Sequence, residues 1–110
     1  MNRADLWLYF AQRASAMVLA PLVIVHLVTI VIAIQGGLTA AEILERTRGS
    51  VVWGLTYGLF VVAAALHGAI GLRAIVREMT TWRGRSLDVA IGVFGLSLLY
   101  LGMRAVMAVV

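Results

Sequence analysis

Residues 14–34 read ASAMVLAPLVIVHLVTIVIAI, 21 residues without a charge. Crossing the hydrocarbon core of a bilayer takes about 20 residues of helix. Two more runs of that length follow. Residues 51–72, VVWGLTYGLFVVAAALHGAIGL, carry no carboxylate or arginine, and residues 89–110 carry one charge, Arg104. In lipid a helix satisfies its own backbone, whereas an open strand does not. The pattern therefore predicts an all-α membrane protein: one domain over residues 1–110, with transmembrane helices at about 14–34, 51–76 and 88–110. Pro21 falls inside the first helix, where neighbouring helices can absorb a kink.

Composition agrees. Of the 110 residues, 63% are hydrophobic and 13% charged, against roughly a quarter charged in soluble domains. A small soluble fold leaves too much surface exposed to hide so much apolar area, so the bilayer is the expected solvent. The formal net charge is +4, and all nine basic residues are arginine. They sit between the apolar runs and form no tract, which points to topology and anionic ligands and away from nucleic acid. With no cysteine, disulfides, thiolate metal sites and iron–sulfur ligation by this chain are excluded.

The first run is too long for the h-region of a signal peptide, and Ile34-Gln35-Gly36-Gly37 is a poor cleavage site. The whole chain is therefore expected in the mature protein. Residues 1–13, MNRADLWLYFAQR, look like a short interfacial segment with Trp7, Tyr9 and Phe10 at headgroup depth. In the first loop, Thr39 and Glu42 have capping-box spacing, which predicts a short surface helix. Arg3, Arg13, Arg73, Arg77, Arg83 and Arg85 lie on the N-terminus and second loop, against Arg46 and Arg48 on the first. The positive-inside rule puts the N-terminus in the cytoplasm and the C-terminus outside.

Two ionisable side chains lie deep in the runs, His26 and His67. Intramembrane ionisable groups are costly and mark function by default, although a neutral imidazole can also simply hydrogen-bond a carbonyl on a neighbouring helix. At 1.5 Å per residue, His26 stands about 18 Å above residue 14 and His67 about 24 Å from residue 51 on a helix running the other way. The two imidazoles are thus expected at different depths. One haem held by both would be strained. Two irons, each completed by a histidine from another chain, fit better. Zinc needs three or four ligands, more than the chain offers at depth, and a proton relay usually adds an intramembrane carboxylate. Gly71, one turn beyond His67, and the adjacent Gly68 leave room for a flat macrocycle or for close helix packing. Arg13 and Arg73 close the cytoplasmic ends of the first two helices, as bidentate partners for propionates or as plain interfacial anchors. The Ser15 hydroxyl could meet a quinone carbonyl or its own i−4 carbonyl.

In order and spacing, QRASAMVLAPLVIVH followed by LHGAIGLRAIVRE resembles the membrane-anchor cytochrome b subunits of succinate dehydrogenase and fumarate reductase, respiratory complex II. Arg13-Ala14-Ser15 matches that family's Arg-x-Ser/Thr opening of helix I. His67, Gly71 and Arg73 match its H-x3-G-x-R context around a haem ligand. The resemblance implies half of a haem-binding helical bundle, completed by a second membrane-anchor subunit. It implies haem b as cofactor, two per complex, with His67 on the inner iron and His26 on the outer. It implies a quinone site near Arg13, Ser15, Arg73 and Gly71. The implied partners are an iron–sulfur subunit that docks on the cytoplasmic face and passes electrons on, and a flavoprotein that oxidises succinate. The implied location is a bacterial cytoplasmic (inner) membrane. The short N-terminus and QRASA are closer to the D-type anchor, Arg73 to the C-type. Met79 stands where some anchors carry a quinone-site tyrosine, and Trp82 is the nearest aromatic substitute. The alternatives are an anchor working as quinol:fumarate reductase and a small non-redox membrane protein, such as a transporter subunit or assembly factor.

Overall fold

The computed structural model describes residues 2–110 and is built from four helices: α1 (Arg3–Gly36), α2 (Ala40–Thr47), α3 (Val51–Met79) and α4 (Arg85–Val109). Three of them, α1, α3 and α4, are long and apolar enough to cross a membrane. The long axis of the molecule measures 48 Å, enough for the hydrocarbon core and both headgroup layers.

Each helix start has a local cause. The Asn2 side chain accepts from the Asp5 N–H at 2.8 Å. Residues 3–13 contain neither glycine nor proline, so the stretch expected as a separate interfacial segment continues unbroken into the first transmembrane helix. Thr39 caps α2 as its spacing predicts: its Oγ1 accepts from the Glu42 N–H and donates to Glu42 Oε1 at 2.8 Å. Ser50 caps α3 through the Trp53 N–H. Gly37 ends α1 with φ +124° and Gly84 opens α4 with φ +91°, a backbone region that only glycine enters freely. At the end of α3, Arg83 folds back to donate to the carbonyls of Thr80, Trp82 and Arg77. That places a cation on the negative pole of the helix.

Helix α3 packs against both α1 and α4. Besides Asp5, Ala11 and Ala16, the covered positions on α1 are Leu8, Gln12, Ser15, Leu19, Leu22, His26, Thr29 and Ala33. The last eight alternate at a spacing of four and three, which makes a seam along the helix. Most of the aliphatic residues off that seam, among them Met17, Ile24, Leu27 and Val31, are exposed. The seam thus combines Gln12, Ser15, His26 and Thr29 with four aliphatic residues, while most of the helix's other aliphatic side chains face lipid or other helices. Glycines set the approach to α4: a Cβ on Gly95 would lie 3.1 Å from Ala69 Cβ, and one on Gly102 2.5 Å from Val61. The buried apolar residues are Ala63, Ala65 and Leu87, so what core there is runs along α3 and the first turn of α4.

Candidate functional site

The α1 seam faces a matching stripe on α3. Trp53, Tyr57, Phe60, Ala64, His67 and Gly71 recur at the same spacing of four and three. The two stripes meet at both ends. A Cβ on Gly71 would lie 3.3 Å from Gln12 Nε2. His26 packs edge-on against Phe60, with ring centroids 5.0 Å apart at 87°, and against Tyr57 at 6.3 Å and 88°. Trp53 stacks on Tyr57 at 5.3 Å. Both histidines therefore lie along one seam. His67 stands seven residues beyond Phe60 and ten beyond Tyr57, so the imidazoles differ in depth by about 10–15 Å.

Neither imidazole is satisfied within the chain. The Nδ1 atoms of His26 and His67 are buried without a hydrogen-bond partner. A buried polar atom left unpaired costs about 1–3 kcal/mol, and no group of this chain offsets that cost at either Nδ1. Among the described residues no group of three His, Asp or Glu side chains could hold a metal. Isolated imidazoles of this kind suit an iron that brings its other ligands in a macrocycle.

Space opens at His26. One cavity of about 380 Å³ is bounded by His26, Tyr57, Phe60, Gly102 and Val106. A second, outer cavity of about 490 Å³ is bounded by His26, Thr29, Arg46, Trp53 and Tyr57. Helix α2 roofs both through Ile43 and Thr47. It is tied to the end of α4 by two bonds: Thr47 Oγ1 donates to the Val109 carbonyl, and the Gly49 N–H donates to the Val110 carbonyl at 3.0 Å.

At the other end of the seam the polar residues divide. Ser15 is 5% exposed and its hydroxyl donates to the Gln12 carbonyl at 3.0 Å, an i−3 bond. Arg13 is exposed and lies over the Tyr9 ring at 5.8 Å. Arg73 pairs with Asp88 at 2.9 Å, so it has a carboxylate partner at the start of α4. Gly71 is covered by Gln12, and Gly68 faces Leu98 of α4 at 3.7 Å from an added Cβ. Only at Gly71 would an added Cβ be tight; Gly68 has room for one. The Trp82 indole N–H donates to Ser86 at 2.8 Å.

Three groups at the ends of the seam escape a reading of single motifs. Gln12 buries an unpartnered Oε1 beside a 210 Å³ cavity shared with Asp5, Tyr9 and Arg73. Arg46 reaches the outer cavity from α2, and the Tyr57–Phe60 pair frames His26. The seam spacing is the sequence signal for Gln12, which lies fourteen positions, two heptads, before His26. Arg46 has no such signal, because its place depends on how α2 folds back.

No curated protein and no solved structure matches the chain. The family model for the succinate dehydrogenase/fumarate reductase transmembrane subunit matches residues 1–108. With three membrane-crossing helices and two histidines on one inner seam, the chain belongs to the succinate dehydrogenase/fumarate reductase transmembrane subunit family.

Proposed function

We propose that this chain is the membrane-anchor subunit of a succinate:quinone oxidoreductase, holding haem b and shaping the quinone site through which electrons from the iron–sulfur subunit leave. The observation that carries the reading is the pair of buried, unpartnered histidine nitrogens at two levels of one seam. Haem b, when bound, supplies one-electron chemistry at iron. His67 would hold an inner haem and His26 an outer one, each completed by a residue from a second anchor chain.

The rest of the chain orients and insulates. Tyr57 and Phe60 fix the plane of the His26 ring by edge contacts, and the apolar lining beside it excludes water. Arg13 and Arg73 put positive charge at the cytoplasmic end, where a quinone with its carbonyls near Ser15 and Gly71 would gain negative charge on reduction. The iron–sulfur subunit docks at that end and the flavoprotein behind it. The setting is a bacterial cytoplasmic membrane with the N-terminus inside.

The test is haem stoichiometry and a redox titration on the complex purified through this chain. Two b haems with co-purified flavin support the reading. A haem-free assembly that retains flavin would leave a quinone-only anchor, and loss of both would overturn the assignment.

A further inference from the structure

The outer cavity has one charged side chain at its wall. Its lining is apolar apart from His26, Thr29, Thr47 and the aromatic residues, and the charge is Arg46. The guanidinium carries five N–H donors. One, on Nη2, donates to the Gly37 carbonyl at 3.2 Å. Among the described residues the ion pair formed is Arg73–Asp88, and Arg46 has no carboxylate partner. Glu42, one turn back on α2, accepts from Thr39 at Oε1 and forms no ion pair with Arg46.

The arm is also held in place. Ile43, Arg46 and Thr47 share one face of α2, and Thr47 fixes that face over the cavity by its bond to Val109. An apolar chamber with an imidazole in its wall and a guanidinium at its edge suits a molecule with a flat or extended apolar body and an anionic end. Guanidinium and carboxylate pair through two parallel bonds. A position in the last turn of α2 does favour a cation by the helix dipole, but Arg48, at the C-cap of the same helix, shares that benefit without bounding the cavity.

Resting on the haem reading of His26, we propose that Arg46 is the carboxylate anchor of the outer cavity, and that its guanidinium holds a propionate of the haem whose iron His26 ligates. The same chemistry would seat the phosphate of an anionic lipid, so the test separates the two.

The intact complex is reconstituted in phosphatidylcholine nanodiscs as wild type, Arg46→Gln, Arg46→Lys, Arg48→Gln and His26→Ala. The haem lost in His26→Ala defines the outer one, and its midpoint potential is the readout. A positive charge beside the haem favours the reduced form, so Arg46→Gln should lower that potential. The reduced:oxidised ratio at fixed poise should fall roughly three- to tenfold, while the other haem stays unaltered. Arg46→Lys, which keeps the charge and loses the fork, should recover part of the shift, and Arg48→Gln should leave it near wild type. Equal shifts for Arg46→Gln and Arg48→Gln, or none for Arg46→Gln, would overturn the proposal. So would a shift that appears only when phosphatidylglycerol is added, which assigns Arg46 to lipid phosphate. Retention of every haem in His26→Ala would instead defeat the haem reading itself.

Discussion

His26 stands edge-on to Phe60 with ring centroids 5.0 Å apart, and His67 lies seven residues further along the same stripe of α3. That fixed offset makes the two imidazoles independent partners. His67→Ala is expected to remove one b haem and His26→Ala the other, each leaving the second haem's spectrum and potential in place. Both changes fall inside the apolar runs and make them no less apolar, so insertion should be preserved. Difference spectra and redox titration of the two variants check this. Loss of both haems from one substitution would mean that the sites are coupled or shared.

The α3–α4 contact depends on missing side chains. A Cβ on Gly102 would lie 2.5 Å from Val61 Cγ1, whereas one on Gly58 meets nothing within 4 Å. Val is stiff at χ1, so it cannot turn aside freely. Gly102→Ala should destabilise the bundle by about 1–3 kcal/mol through overpacking, and Gly58→Ala should be near neutral. Adding Val61→Ala to Gly102→Ala should recover much of the loss, a coupling that a double-mutant cycle measures. Thermal release of haem from the purified complex reports all four species.

The Arg73–Asp88 pair is partly open to its surroundings, with side chains 21% and 57% exposed. Exposed pairs contribute about 0–1 kcal/mol, so Asp88→Asn should cost little stability. Arg73 has a second expected duty at the quinone. Arg73→Ala should therefore slow succinate:quinone turnover more than Asp88→Asn does, and Arg13→Ala should slow it too. Steady-state kinetics with a soluble acceptor as control separates electron exit from succinate oxidation. Equal, small effects of all three changes would return both arginines to the role of interfacial anchors.

Much of this was legible from residue order. Apolar run lengths place the three crossings, Thr39 and Glu42 place α2, and rise per residue places His26 and His67 at separate depths. The N-terminal extension of α1 was not legible, because aromatic residues beside charges read as an interfacial segment whether or not the helix is continuous. The surroundings of Arg73 were hidden as well. Asp88 is fifteen residues away, and only the antiparallel return of α4 brings it to 2.9 Å. The cavity roof at His26 depends on the same kind of non-local fact, the fold-back of α2 onto the end of α4.

Gln12 combines features that seldom persist without cause. Its Oε1 is buried without a partner, it sits on the α1 seam, and its amide nitrogen occupies the space that a side chain at Gly71 would need. An unsatisfied buried amide oxygen weakens the fold, so replacing it by an apolar group of similar size should be neutral or stabilising by about 1 kcal/mol. Gln12→Leu is therefore expected to raise the temperature of haem release slightly. If the amide is kept for a ligand in the adjoining 210 Å³ cavity, the same variant should raise the KM for quinone and leave the rate with a soluble acceptor unchanged. Higher stability with poorer quinone binding identifies Gln12 as a residue held in an unfavourable state for the sake of the substrate. Lower stability with unchanged KM would show instead that a neighbouring subunit satisfies the amide in the assembled complex.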